Sequence, residues 1–471
     1  MQATGRTLTV ALLSMALVLA CTPGTPTPTP EPPAHAPPTG SAGPTDAAEP
    51  SIGVITPVPG PDSLLILGRI VTMDAPPVVE AILIEDGLVV ALGSREEMVR
   101  LFADQVPVIE LGDAVAYPGF IDAHAHWIGD REYYGVDSPA EAMSAAVTRG
   151  WTSISEQWVN EERLDELLAL AADDALPLRV DAYLALNFAD ERYGDWYTSR
   201  EPGSVGDRLR VRGLKIHLDD GSANRLLWQP ADLTETIGRA DDAGWQVSVH
   251  AMSSEAMELV LDAFEATLGG PSGPNPLRHR VEHALEVSDE QLARLVAMDI
   301  ATVIHLDGAA DWLSNDGMLV AHDRDAPGER AGWLARWRDF VHAGLHVASA
   351  TDAPWTFPEL RLSDDIGRPG DQIAAGMDGR LRKDGSTPTW LRDQSLTAEQ
   401  GLRAVTREAA YALGQIDGGH LSHRSLGDVT ILSGDVTSAT PDEIRAMTVV
   451  ATIVAGNVIY CSVPEICRPG S

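Results

Sequence analysis

Short apolar runs of strand length alternate along the chain with longer segments in which apolar positions recur every three or four residues. The runs predict buried strands and the longer segments predict amphipathic helices. We identify eight such strands, each followed by a helical or loop segment: 116–126, 152–156, 178–186, 214–219, 246–250, 280–283, 301–306 and 347–352. Strand–helix alternation repeated eight times predicts a closed (β/α)8 barrel of the TIM type.

Two flanking regions have a different pattern. Residues 62–114 and 425–463 contain short alternating strands with turn signals such as Gly456-Asn457 between them, and lack long helical periods. Strands that lie before and after a barrel can pair with each other. We therefore predict a small β-sandwich domain built from both termini, with the barrel occupying 115–424.

The amino terminus has the pattern of an exported protein. A single early charge precedes a short apolar run, so residues 1–20 are expected to be a secretory signal peptide. Val18-Leu-Ala-Cys21 resembles a bacterial lipobox, which would make Cys21 the lipidated first residue; an ordinary signal with a nearby cysteine is the alternative. Residues 21–61 are rich in Pro and Thr and predict a disordered tether. The expected location is extracytoplasmic, anchored by lipid to a bacterial membrane, in the periplasm or at the cell surface.

The net charge argues against one class of partner, and the cysteine count predicts one covalent link. The formal net charge of −35 argues against nucleic acid as a partner, because phosphates would be repelled. Only Cys461 and Cys467 remain after Cys21, and in an oxidising compartment they are placed to form a local disulfide.

Residues that can ligate a metal stand at the ends of four predicted strands. His124 and His126 alternate along one strand and would face the same side. His250, His283 and Asp352 each end a later strand. Because barrel enzymes build their sites at the carboxyl ends of the strands, these side chains are expected to converge at one mouth. Each alone is equally compatible with a buried structural role.

Lys215 is unusual because the chain has only two lysines among 34 basic side chains. It lies in the strand-like segment Gly213-Leu-Lys-Ile-His217. A protonated amine cannot ligate a metal, whereas the carbamate that an amine forms with CO2 is an anion with two oxygens and can bridge two cations.

These motifs together resemble the metal-dependent amidohydrolase superfamily, in its branch of enzymes similar to N-substituted formamide deformylase. The resemblance covers residues 62–460 and is carried by these segments: Pro118-Gly-Phe-Ile-Asp-Ala-His-Ala-His126, Leu214-Lys-Ile, Val249-His250, Arg280-Val-Glu-His283, Thr351-Asp352 and the late helix 396–414. It implies a (β/α)8 barrel with a small β-sandwich and one or two divalent metals, usually zinc.

The resemblance also implies a role for each ligand. His124 and His126 would bind the more buried metal, carboxylated Lys215 would bridge, and His250 and His283 would bind the second. Asp352 would be the catalytic proton carrier, which makes it, with Lys215, the pair of residues assigned to catalysis.

The chain departs from the family pattern near the substrate. His217 stands where the family commonly has Phe, and His305 follows strand seven, where an imidazole is not typical. Both are candidate pocket residues. So are Trp127, Trp158 and Trp355, which follow strand ends and would line an apolar cleft.

The resulting hypothesis is a hydrolase that cleaves an amide-type C–N bond, in an N-acyl, formamide or cyclic amide substrate of small size, with a metal-activated water. Two alternatives remain: an isomerase or lyase on the same scaffold, since fold does not determine chemistry, and a surface-tethered binding protein with a vestigial site.

Overall fold

A computed structural model describes residues 63–220, 225–307, 329–355, 367–380, 385–387 and 389–467. The predicted signal peptide, Cys21 and the tether lie outside these ranges. Within them, no helix is long and apolar enough to cross a membrane.

The strands, in chain order, are β1 (Ser63–Val71), β2 (Val78–Glu85), β3 (Leu88–Gly93), β4 (Val108–Pro118), β5 (Phe120–Ala125), β6 (Trp151–Val159), β7 (Arg179–Ala185), β8 (Asn187–Phe188), β9 (Glu191–Arg192), β10 (Gly203–Val205), β11 (Leu209–His217), β12 (Gln246–Ala251), β13 (Arg280–His283), β14 (Ala301–Ile304), β15 (Val347–Ser349), β16 (Val429–Leu432), β17 (Val449–Val454) and β18 (Asn457–Cys461).

The α-helices span Arg95–Phe102, Pro139–Thr148, Glu161–Ala172, Pro230–Asp242, Ser254–Leu268, Asp289–Ala297, Trp337–His342, Pro369–Asp378, Thr389–Arg392, Ala398–Ala404, Arg407–Leu413, Pro441–Ala446 and Pro464–Cys467. Short 3-10 helices span Arg131–Tyr134, Trp196–Ser199 and Glu329–Trp333. Side-chain caps set several starts: Asn160 accepts from the amide of Arg163 at 2.9 Å, and Ser288 forms a capping box with Gln291.

Eight parallel strands form the barrel, in the order β5-β6-β7-β11-β12-β13-β14-β15. All eight coincide with predicted strands, which confirms the (β/α)8 fold. The last and first strands are joined by backbone and side-chain bonds: the Asp352 amide donates to the His124 carbonyl at 2.9 Å, and Asp122 accepts from the amide and hydroxyl of Thr351. The short first and last strands thus meet through bonds that also position the residues of the site.

The terminal segments form one seven-stranded sheet in the order β18-β17-β16-β4-β1-β2-β3. Its central contact is the pairing of β4 with β16, which joins the two terminal segments as predicted. The single strand predicted over 116–126 is two strands, because Gly119 separates β4 of this sheet from β5 of the barrel. A Cβ at Gly119 would lie 2.2 Å from Thr152 Oγ1, so only glycine lets the chain pass between the two sheets.

A disulfide joins Cys461, the last residue of β18, to Cys467 in the final helix. It closes the short loop between them, as the count and position of the cysteines predicted. The bond lies in the terminal sheet, away from the histidines of the barrel.

Candidate metal centre at the carboxyl ends of the barrel strands

The strand register places the predicted ligands at one level of the barrel. Between β11 and β12, Lys215 pairs with Ser248 and His217 pairs with His250. Between β12 and β13, His250 pairs with Glu282. Since the strands are parallel and in step, the side chains at their carboxyl ends lie around one mouth.

Three predicted ligands form the tightest group. Oδ1 of Asp352 lies 3.2 Å from Nε2 of His124 and 3.3 Å from Nε2 of His126. All three side chains are buried, and their ligand atoms lie within 4.8 Å of one another. Burial alone would raise the pKa of Asp352, but the charges and hydrogen bonds of His124 and His126 hold it well below its usual value. The carboxylate is therefore ionised, as a metal ligand must be.

A second group shares His124 with the first. His124, His283 and His305 also have ligand atoms within 4.8 Å of one another. His250 adjoins this group, with its ring centre 4.3 Å from that of His283. Burial, followed by the neighbouring imidazoles, holds the pKa of His283 well below its usual value, so the ring is neutral and has a lone pair to offer a cation.

Lys215 lies among these groups with its amine in an unusual state. The residue is only 5 % exposed, and its Nζ makes no hydrogen bond to any described residue. Burial lowers the pKa of its amine to about 8, against the opposing charges of Glu282 and Asp352. A buried ammonium normally needs several acceptors, so this orphaned nitrogen fits a modified or metal-bridging group better than a plain cation.

Three of the four histidines predicted as ligands each have a carboxylate next to the ring. Glu282 Oε2 lies 2.7 Å from Nδ1 of His124, and Asp130 Oδ2 lies 3.4 Å from Nδ1 of His126. Asp219 Oδ1 lies 3.0 Å from Nε2 of His250. Such partners orient a ligating ring and raise its basicity.

Sequence reasoning missed these three carboxylates. Each has a weak local signal, because Glu282 precedes His283, Asp130 follows His126 by four residues, and Asp219 follows the β11 strand end. Nothing in the sequence identifies which histidine each of them contacts.

His283 is supported by an imidazole instead of a carboxylate. Nε2 of His305 lies 2.8 Å from Nδ1 of His283, and Nδ1 of His305 lies 3.1 Å from the Ala350 carbonyl. A carbonyl only accepts, so Nδ1 of His305 donates to it. Burial lowers the pKa of His305 to about 4, and in the neutral ring Nε2 is then the acceptor. The hydrogen on His283 is thereby assigned to Nδ1, which leaves its Nε2 for a cation.

The other predicted pocket residues separate into two sets. Trp158 and His217 are half-buried at the mouth, and Trp355 donates to Asp130 at 2.9 Å beside it. Trp127 is instead fully buried in the core and donates to Asp122 at 2.9 Å, so its indole lines no cleft. The turn after β5 folds this side chain inward. Phe188, exposed at the mouth, was not predicted.

Comparison with known proteins decides the family. Residues 134–460 match the model of an amidohydrolase family, which is well over half of the chain.

The chain belongs to the amidohydrolase family.

Relatives of this amidohydrolase are distant. It is 24% identical over 250 residues to the N-substituted formamide deformylase of Arthrobacter pascens, matching 53% of this chain and 42% of that one. It is 26% identical to a 5-methylthioadenosine/S-adenosylhomocysteine deaminase of Natronomonas pharaonis, over 49% of each chain. The amidohydrolase spans less than half the length of the curated relatives it matches.

Solved structures share the fold. An uncharacterized metal-dependent hydrolase from Pyrococcus horikoshii superimposes with a TM-score of 0.64 at 18% identity, covering 81% of this amidohydrolase and 99% of that chain. Atrazine chlorohydrolase TrzN from Arthrobacter aurescens, complexed with zinc, superimposes with a TM-score of 0.55 at 18% identity, covering 84% and 94%. At this identity the likeness establishes the architecture alone.

Proposed function

We propose that this amidohydrolase is a metal-dependent hydrolase that cleaves an amide-type C–N bond of a small molecule, in an N-acyl, formamide or cyclic amide substrate. The observation that carries the proposal is the buried amine of Lys215, which makes no hydrogen bond to a described residue and lies beside the group formed by His124, His126 and Asp352. That combination has no evident structural purpose and fits a bridged metal centre.

The donor set fits one or two divalent cations, with zinc favoured by its imidazole and carboxylate content. His124, His126 and Asp352 would hold one cation, and His250 and His283 a second. Lys215 would bridge them as a carbamate, formed when its neutral amine adds to CO2 and releases a proton. When bound, a divalent metal lowers the pKa of water toward about 7 and polarises a carbonyl.

Asp352 is the residue placed to move the proton. Its carboxylate is ionised and buried, and it touches both His124 and His126. It accepts the proton of the attacking water as the oxygen joins the carbonyl carbon, and returns it to the nitrogen as the C–N bond breaks. Water is thus divided between the acid and the amine that leave the site.

Metal analysis and a substrate panel test the proposal. We expect purified protein to contain one or two equivalents of divalent metal per chain and to hydrolyse members of a panel of N-acyl, formamide and cyclic amides. Oxygen from 18O-labelled water should appear in the acid product, which an isomerase or lyase would not produce. Protein that holds no metal and turns over no amide would contradict the proposal.

Lys215 gives a second, sharper test. Lys215→Arg keeps a positive charge but cannot form a carbamate, and we expect it to lose activity and metal content. Lys215→Ala should lose both as well, but a short carboxylate such as propionate should restore them because it supplies two oxygens to the vacated space. A fully active Lys215→Arg variant would rule out the bridging role.

We also propose that Cys21 carries a lipid that anchors the protein outside the cytoplasm, on the basis of the lipobox-like segment before it. Cells fed a labelled fatty acid should label the parent protein and leave Cys21→Ser unlabelled. Equal labelling of the two would contradict the anchor.

A further inference from the structure

A row of flat side chains runs along one side of the metal centre, from one candidate ligand to another. The ring centre of Trp158 lies 6.2 Å from that of His126 and 3.8 Å from that of Phe188. Phe188 stacks on His217 at 5.4 Å, and His217 meets His250 at 4.2 Å. We call Trp158, Phe188 and His217 the aromatic wall.

Core packing does not explain the wall. Phe188 is 38 % exposed, although it lies beside a cluster of buried polar groups. Among the described residues, neither Phe188 nor Trp158 belongs to a hydrophobic core cluster. Exposing large rings to water is unfavourable, so a ring kept exposed at a site mouth indicates a surface that a ligand covers.

The backbone holds Trp158 in place at a cost. Trp158 has a φ of +66°, a conformation that a bulky residue rarely adopts, and it lies where the pairing of β6 with β7 shifts between Glu156 and Val159. This bulge turns the indole toward the mouth. Strained positions of this kind concentrate where a site needs a side chain in a particular place.

His217 contributes an uncharged face to the wall. Its Nδ1 accepts from the Ala189 amide at 3.3 Å, and its backbone is bonded to Asn187. An imidazole nitrogen that accepts a hydrogen bond carries no proton, so the ring holds its hydrogen on Nε2 and is neutral. The wall therefore presents three aromatic faces without a formal charge.

We propose that the aromatic wall binds an aromatic ring of the substrate, attached directly or through one carbon to the scissile group, so that the enzyme prefers aryl amides to alkyl amides of equal size. This inference rests on the proposed hydrolysis. The short attachment follows from the distances, because the wall begins within 6.2 Å of His126 and 4.2 Å of His250. A ring stacked on Trp158 and Phe188 is therefore only a few bonds from the reacting carbonyl.

Matched substrates test the preference. We compare kcat/KM for pairs of amides that differ only in a phenyl or a cyclohexyl ring, and expect the parent enzyme to favour phenyl by about tenfold, the scale of a stacking contribution. Phe188→Leu keeps an apolar side chain but removes the ring, and should reduce the preference to about twofold. Phe188→Ala should raise KM for both amides of a pair and should also abolish the preference for the phenyl amide.

Ile416→Ala is the matched control. Ile416 is 77 % exposed and follows Gln415, which bonds Asp181 in β7 at the opposite end of the barrel. Its removal should leave both kcat/KM values and their ratio unchanged. Equal rates for phenyl and cyclohexyl amides in the parent enzyme, with hydrolysis intact, would overturn the aromatic wall and leave the proposed function standing.

A binding measurement separates the two proposals if no amide is hydrolysed. In that case the proposed function fails, and calorimetry of benzoate against cyclohexanecarboxylate still tests the wall in the metal-loaded protein. Tighter binding of benzoate that Phe188→Leu abolishes would support the wall. Equal binding of the two carboxylates, or a preference that Phe188→Leu leaves intact, would overturn it.

Discussion

The charged side chains at the two ends of the barrel are arranged differently. At the amino ends of the strands, Arg210 pairs with Asp181, and Arg179 pairs with Asp428 of the segment leading to β16. Arg210 and Arg212 also donate to the carbonyl of Leu413, which ends a helix. Every arginine named here donates to a carboxylate or to a backbone carbonyl, so this end is built from ion pairs and capped carbonyls.

At the carboxyl ends, the ionisable groups share a centre instead. Oδ1 of Asp352 lies close to both His124 and His126, and the amine of Lys215 makes no hydrogen bond within the part of the chain that the structure describes. Buried groups arranged in this way cost folding free energy that matched pairs do not. The difference indicates that one end of the sheet stabilises the fold and the other is kept for chemistry.

Asp352→Asn should have the largest effect on activity. It tests the carboxyl ends of the barrel strands, which we call the chemical end. The amide keeps the shape of the side chain but cannot accept the proton, so we expect kcat/KM to fall by about a thousandfold. Circular dichroism should be unchanged, because the amide fills the space of the carboxylate and the variant still folds. Activity within tenfold of the parent would contradict the role of Asp352.

Glu282→Gln should lower both the metal affinity and the stability of the fold, because Glu282 contacts a candidate metal ligand and also a buried arginine of the barrel. One oxygen lies 2.7 Å from Nδ1 of His124, and the other lies 2.7 Å from Nε of Arg280, with both side chains of that ion pair fully buried. Leaving Arg280 unpaired should cost about 3 kcal/mol of unfolding free energy. Metal affinity should fall about tenfold to a hundredfold. Competition with a metal-binding dye measures the metal affinity, and urea unfolding measures the stability. A change in only one of these two quantities would contradict the double role of Glu282.

Asp181→Asn tests the stabilising end. Asp181 is buried and bonds Arg210 and Gln415. Because Arg210 is a quarter exposed and water can reach it, we expect a loss of about 2 kcal/mol of unfolding free energy rather than the full penalty of a buried charge. Metal content and kcat/KM should be those of the parent at a temperature where both are folded. A variant that loses activity while keeping its stability would invalidate the comparison between the two ends.

The sequence predicts the local parts of this arrangement and misses those that depend on contacts across the barrel. His124 and His126 are recognisable because alternation places them on one side of a strand, and eight apolar runs suffice to predict the barrel. The contact of Glu282 with His124 joins residues 158 positions apart, and no spacing rule predicts it. Phe188 lies in a two-residue strand that has no period of its own.

The break between β4 and β5 at Gly119 is a second feature that depends on a contact between strands and that local sequence pattern does not predict. Continuous apolar character from β4 into β5 predicts a single strand. The division arises from crowding by Thr152, a residue of the neighbouring strand that local pattern does not reveal. The sequence therefore predicts the fold and the candidate ligands, whereas only the structure reveals the side chains that contact those candidates.

His305→Phe and His305→Gln should have the smallest effects and sharpen the comparison within the chemical end. Unlike Glu282, Asp130 and Asp219, which contact the other candidate ligands, His305 carries no negative charge, so its contribution is to assign the hydrogen of His283 to Nδ1. Phe fills similar space without an acceptor, and we expect a loss of about tenfold in the affinity of the His250 and His283 metal, the low end for a supporting residue. Gln offers an oxygen near the position of Nε2 and should restore most of that affinity, whereas a role in packing alone would predict the reverse order. Metal titration that resolves two equivalents distinguishes these outcomes, because the metal held by His124 and His126 should bind equally well in both variants.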